Sequence, residues 1–151
     1  MFGTRADTIV NFAYLVTLIA PFAAFFSLRL VRKGQHDMHK RIQIALITVC
    51  VMAVCALEIR IRLAGGPAQL IKESPYAGAG LMRAVATIHI VGAVLTYLIW
   101  CWLVFTSYRL HRSKLPGAFS RKHKITGWVV IGGLCFTALS ATAVYTLAFI
   151  A

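Results

Sequence analysis

The sequence predicts an all-α integral membrane protein, a four-helix bundle running up-down-up-down with both termini outside the cytoplasm. Three observations carry this reading. Of the 151 residues, 60% are hydrophobic and only 13% are charged, and the mean hydropathy is +0.78. Soluble domains are about 45–50% apolar and roughly 25% charged, so this composition cannot cover a soluble surface. The apolar residues gather into four runs, each near the ~20 residues that cross a hydrocarbon core as a helix. The basic residues fill the stretches between the runs, and they do so unevenly.

The first span runs from about Ile9 to Val31. Its leader, Met1 to Asp7, holds one arginine, and its apolar stretch exceeds the roughly 7–15 residues of a secretory signal, so it reads as a retained span. Pro21 is a candidate kink within it. The second span covers about Ile42 to Leu63, the third Leu81 to Tyr108 and the fourth Ile125 to Ile150. In hydrocarbon each must pair its own amide groups, which makes them helices. The linkers are Arg32–Arg41, Ala64–Gly80 and Arg109–Lys124. Gly65-Gly66-Pro67 is a firm helix stop in the second, and Pro116-Gly117 marks a turn in the third. The whole chain is one membrane domain.

Charge sets the orientation. Of the sixteen lysines and arginines, eleven lie around linkers one and three: Arg29, Arg32, Lys33, Lys40, Arg41, Arg109, Arg112, Lys114, Arg121, Lys122 and Lys124. The positive-inside rule places those linkers in the cytoplasm. A net charge of +12 would suggest nucleic acid in a soluble protein. Without an aromatic-and-basic module, attraction to anionic lipid is the better reading and no nucleic-acid partner is expected. On the fourth span Gly133, Thr137 and Ala141 repeat every fourth residue, a spacing that lets backbones approach closely. Gly92 and Thr96 share a face with His89 on the third span, which predicts that this face points into the bundle.

Few residues can carry chemistry. The acids number four, Asp7, Asp37, Glu58 and Glu73, which nearly excludes paired-carboxylate catalysis. No serine–histidine–acid set and no phosphate-binding glycine loop is present, and no catalytic turnover is expected. Cys50, Cys101 and Cys135 fall near the middle of spans two to four. A thiolate copper site there competes with the plainer reading of three buried structural thiols. His36 and His39 lie three apart at the start of the second span and can share a face. His123 lies at the start of the fourth span, on the same side of the membrane. His39 and His123 could meet if the two spans are neighbours. Neutral imidazole is the commonest metal ligand, and a facing pair on two bundle helices also suits a haem iron. The plainer alternative is a set of interfacial histidines among lipid headgroups. His89, at membrane depth, is a functional candidate by cost alone. Glu58 reaches a similar depth and could pair with His89 or with Arg62 one turn away. About 20 residues separate His89 from its span's cytoplasmic end, roughly 30 Å, so His89 cannot share one ion with the other histidines.

Three segments resemble motifs of the YozB-like family of small four-helix membrane proteins, a domain of unknown function. They are His36-Asp37-Met38-His39-Lys40-Arg41, Thr87-Ile88-His89-Ile90-Val91 and Arg121-Lys122-His123-Lys124-Ile125-Thr126-Gly127-Trp128, together with Tyr145. The resemblance covers roughly Thr8 to Ile150. Some family members are linked to haem–copper oxidase maturation. The resemblance therefore implies that His39, His89 and His123 are the functional histidines. The second helix of that family often ends in a further histidine. This chain has Glu58-Ile59-Arg60-Ile61 there, so an outer metal site would need Glu58 as its ligand.

The expected function is a membrane accessory protein of respiratory (haem–copper oxidase) assembly, or one that handles copper or haem b, in a bacterial inner membrane. The lipid bilayer, and a respiratory oxidase or other membrane complex, are the expected partners. A structural subunit of a larger membrane complex and a bis-histidine haem-b electron carrier are the alternatives.

Overall fold

The computed structural model describes residues 5–110 and 118–150. Helix α1 spans Thr8–Arg32, α2 His36–Leu63, α3 Pro67–Leu70, α4 Gly80–Leu110 and α5 Ala118–Tyr145, followed by one π-helical turn, Thr146–Ile150. The fold is all-α, with no strand among the described residues. Four of the helices, α1, α2, α4 and α5 with its π turn, are long and apolar enough to cross a membrane.

The helices start earlier than hydropathy predicts. Helix α2 begins at His36 rather than near Ile42, and α5 at Ala118 rather than near Ile125. Hydropathy marks where side chains leave hydrocarbon. Backbone pairing continues past that level, because lysine and arginine stems cover apolar surface while their heads reach water. As a result His36, His39 and His123 sit on helix, not in linkers. The first linker shrinks to Lys33-Gly34-Gln35. Residues 111–117 of the third linker, with Arg112, Lys114 and Pro116-Gly117, lie outside the described residues.

Helix ends follow local chemistry. Asp7 caps α1 by accepting the Val10 N–H at 3.0 Å. At its other end Gly34 adopts φ +76°, Gly34 N–H donates to Val31 O at 3.0 Å and Gln35 N–H to Leu30 O at 2.9 Å. This is a Schellman closure, and the left-handed residue it needs favours glycine. The same closure ends α2: Gly65 has φ +87°, with Gly65 N–H on Arg62 O at 3.0 Å and Gly66 N–H on Ile61 O at 2.9 Å. Pro67 then opens α3 at its first position, where a missing N–H costs nothing. Helix α1 continues unbroken through the buried Pro21.

Around the bundle axis the order is α1, α2, α4, α5. Hairpin α1/α2 and hairpin α4/α5 each pack along their length, α1 meets α5, and α2 meets α4 along a thinner seam. A central core joins Ala20 and Ala24 of α1, Ile47 and Cys50 of α2, Trp100 and Leu103 of α4 and Val130, Ile131 and Leu134 of α5. A second cluster lies at the end bearing the Ala64–Ala79 connection, hereafter the loop end. It gathers Val10, Met82, Tyr145, Ala148 and Phe149, with Leu70, Ile71 and Tyr76 of the connection packed on it. The opposite end is the basic end. Large apolar side chains instead point outward: Phe22 is 77% exposed and Leu139 74%.

The small-residue face behaves as expected. A Cβ added at Gly133 would lie 2.4 Å from Thr96 Oγ1, and one at Gly92 would lie 2.1 Å from Phe136 Cε1. Thr96 and Thr137 are buried, and Ala141 is half-buried. Glycine thus sets the α4–α5 distance. The cysteines depart from expectation. Cys50 is fully buried, whereas Cys55, Cys101 and Cys135 are exposed. The three mid-span thiols therefore do not converge, and two of them face outward where they serve as small apolar groups.

Replacing Gly133 with alanine is expected to destabilise the fold by about 1–3 kcal/mol through overpacking against β-branched Thr96. Gly132→Ala, which meets nothing within 4 Å, should be neutral or slightly stabilising. Thermal unfolding in mild detergent compares the two, and equal melting temperatures would contradict the close-approach assignment.

Candidate functional site

The basic end holds two half-buried imidazoles, His39 on α2 and His123 on α5. Their helices lie across the diagonal of the bundle rather than side by side, contrary to the condition set from sequence. The two rings are nonetheless close enough for the charge of one to act on the other. Diagonal helices both face the axis, so their inward residues can approach without the helices packing.

Each ring is fixed through Nδ1. His39 Nδ1 lies 3.1 Å from the Ser27 carbonyl oxygen of α1. A carbonyl only accepts, so Nδ1 carries the proton and Nε2 is the basic nitrogen. His123 Nδ1 lies 2.9 Å from Ser107 Oγ of α4. The Ser107 hydroxyl donates to Leu103 O at 2.6 Å. With that hydrogen on Leu103 O, the Ser107 oxygen accepts from His123 Nδ1–H. Metal-bound histidines are commonly oriented by an outer oxygen partner of this kind on one ring nitrogen.

Behind His39 stands a polar knot that joins three helices. The Ser27 hydroxyl donates to Ala24 O at 2.6 Å and accepts from Gln43 Nε2 at 2.7 Å. Trp100 Nε1–H of α4 donates to Gln43 Oε1 at 2.9 Å. Ser27 and Trp100 are among the most completely buried side chains. Sequence reasoning missed Ser27, Gln43, Trp100 and Ser107. The available signal was a polar residue inside an apolar run, with Gln43 one helical turn beyond His39. His36 lies on the same helix, within electrostatic reach of His39, but it is exposed. It lines a surface cavity of about 420 Å³ with Gly34, Gln35, Asp37, Met38 and Arg41.

His89 belongs to a different level. Its Nδ1 lies 2.9 Å from Ser140 Oγ of α5, and the Ser140 hydroxyl donates to Phe136 O at 2.8 Å. The same bookkeeping makes His89 the donor at Nδ1. Eighteen residues of α4 separate it from Ser107, roughly 27 Å. Of the two pairings open to Glu58, the structure forms the second: Glu58 Oε1 accepts from Arg62 Nη2 at 2.6 Å, with both side chains more than half exposed. An intrahelical i,i+4 pair needs no ordering between helices, and this face of α2 points away from α4. Glu58 therefore does not serve His89.

At the loop end, Tyr145 stacks on Tyr14 with ring centroids 4.2 Å apart and donates its hydroxyl to Asn11 Oδ1. Tyr14 in turn donates to Thr142 at 3.2 Å. These contacts tie α1 to α5, a packing role for the tyrosine singled out in the fourth motif. Among the described residues no three of His, Cys, Asp and Glu come together as a metal cage. Among the described residues the basic-end site offers two imidazoles. Compared with family models, curated proteins and solved structures, the chain matches none, so its own residues carry the functional argument.

Gln43→Leu should leave the Trp100 N–H without its partner and destabilise the fold by about 1–3 kcal/mol. The expected signs are a lower melting temperature and an altered histidine ring-nitrogen NMR signal for His39, with that of His89 unchanged. An unchanged melting temperature and His39 signal would remove the knot from the site.

Proposed function

We propose that this chain is a membrane accessory protein that handles haem or copper through His39 and His123, in the assembly of a respiratory haem–copper oxidase. The observation that carries the reading is the pair itself: two imidazoles on different helices, in electrostatic reach of each other, each held through Nδ1 by a helix oxygen. Histidines that merely touch headgroups have no need of a buried Ser27–Gln43–Trp100 support. The resemblance to the YozB-like motifs supports the oxidase connection.

The donor set narrows the cargo. Two protein nitrogens match an iron whose other four positions a porphyrin fills, or a cuprous ion of low coordination. Among the described residues the pair lacks the four protein ligands that a closed tetrahedral site needs. Haem, when bound, would supply one-electron chemistry. The protein's part is to hold the two nitrogens, set their protonation and keep water from the Trp100 side. His89 with Ser140 forms a separate single-imidazole position at the other level, where a partner subunit could complete it.

The same reading places the basic end in the cytoplasm and both termini outside, in a bacterial inner membrane. A reporter enzyme active only outside the cytoplasm, fused after Ala151, should be active. An inactive fusion, with the same reporter active in the α4–α5 connection, would invert the topology.

The decisive measurement is the haem and copper content of the protein purified in mild detergent. A Soret band or about one copper per chain is expected, falling at least tenfold in His39→Ala or His123→Ala and little changed in His36→Ala. Neither metal nor haem, together with co-purification of a large membrane complex, would replace this reading with that of a structural subunit.

A further inference from the structure

The two ends of the bundle treat charge in opposite ways. At the loop end, arginines meet carboxylates: Asp7 pairs with Arg60 and Glu58 with Arg62. These are the two ion pairs among the described residues. The basic end carries eleven lysines and arginines in sequence, nine of them described, against one carboxylate, Asp37. Protein alone does not neutralise that end.

Two of these cations are held against aromatic rings. Lys40 Nζ of α2 lies 4.8 Å from the centroid of Tyr108 of α4, and Arg109 lies 4.6 Å above Phe105, one turn along its own helix. Phe105, Tyr108 and Arg109 are contiguous on α4, so Tyr108 links the two cations in one patch across the α2/α4 seam. That seam is the thinner of the interhelical contacts. Trp102, Phe105 and Tyr108, all more than half exposed, continue the patch toward the apolar middle. Two neighbouring rings of α4, each under a cation, one from α2 and one from α4, with apolar surface beneath, have the layout of a lipid: charge at the boundary and chains below. Basic pockets between spanning helices hold anionic headgroups in this manner.

We infer that the basic end of the α2/α4 seam is a binding site for an anionic phospholipid, with Lys40 and Arg109 taking the headgroup phosphate and Trp102, Phe105 and Tyr108 seating its chains. The lipid then completes the thin seam and neutralises part of the charge beside His39 and His123. This site does not depend on the cargo of the histidine pair.

The test uses the full chain, purified in mild detergent and delipidated, with retention followed by native mass spectrometry. Phosphatidylglycerol, phosphatidylcholine and inorganic phosphate are added in separate arms. Phosphatidylglycerol should be retained in preference to phosphatidylcholine. Lys40→Gln with Arg109→Gln should lower its retention about tenfold, roughly several-fold per cation, while Lys40→Arg with Arg109→Lys keeps most of it. Lys72→Gln with Arg83→Gln, at the loop end, should change nothing. A measurement on the unaltered protein guards against misfolded variants: brominated phosphatidylglycerol should quench tryptophan fluorescence more than brominated phosphatidylcholine. Equal retention of the two lipids, equal quenching, or a loss in the loop-end variant matching that at the seam would overturn the assignment. Displacement of the lipid by millimolar phosphate would also overturn it, in favour of a free-anion site.

Discussion

Hydrocarbon offers no hydrogen bonds, and four helices long and apolar enough to cross it are built to that constraint. Backbone amides must pair within each segment, so the spans are helices. Side-chain hydroxyls face the same demand, and most meet it by donating to the carbonyl one turn back, as Thr17, Thr48, Thr96, Thr137 and Thr142 do. Large apolar side chains gain nothing from the interior when the surroundings are equally apolar. Many face outward, and the close helix contacts use alanine, glycine, serine and threonine, which allow backbone approach. Among the described residues no buried side-chain nitrogen or oxygen lacks a hydrogen-bond partner.

That accounting reaches the histidines. A hydroxyl whose only hydrogen is committed to a helix carbonyl can do nothing but accept from a neighbour. With their hydrogens on helix carbonyls, Ser107 and Ser140 accept from His123 and His89 at Nδ1. His39 reaches the same state by a different route, through the Ser27 carbonyl. Three imidazoles thereby carry the proton on the same ring nitrogen.

Much of this was legible in the sequence, for identifiable reasons. Span number and middle positions follow from composition, because the solvent acts on every residue alike. The stop at Gly65-Gly66-Pro67 is local chemistry. The approach of α4 to α5 shows in the spacing of Gly133 and Thr137, since a missing side chain has one main use in a packed face. What sequence did not reveal depends on tertiary geometry. The diagonal placement of α2 and α5 depends on which helices share seams. The burial of Cys50 and the exposure of Cys101 and Cys135 depend on helix rotation, which an all-round apolar span does not encode. The choice of Glu58 between His89 and Arg62 turned on the same rotation. Ser27 and Gln43 were visible as polar residues in apolar runs, but only the fold shows that they meet.

The location of the histidine pair also matters for how the bundle holds together. His39 belongs to the α1/α2 hairpin and His123 to the α4/α5 hairpin, so the site exists only when the two hairpins dock. One of their two shared seams, α1 against α5, is tied by the Tyr14–Tyr145 stack and the Phe25–Trp128 edge contact. The other, α2 against α4, rests at its basic end on Gln43–Trp100 and Lys40–Tyr108. Glycine-set packing fixes the α4/α5 hairpin internally, but it does not fix this second seam. The polar knot therefore does two things at once: it orients His39, and it supplies a directional bond where apolar packing is thinnest. A ligand joining His39 to His123 would span the same gap from the inside. On the proposed reading, a ligand held by the pair would favour the docked hairpins, because it would bind only the closed bundle.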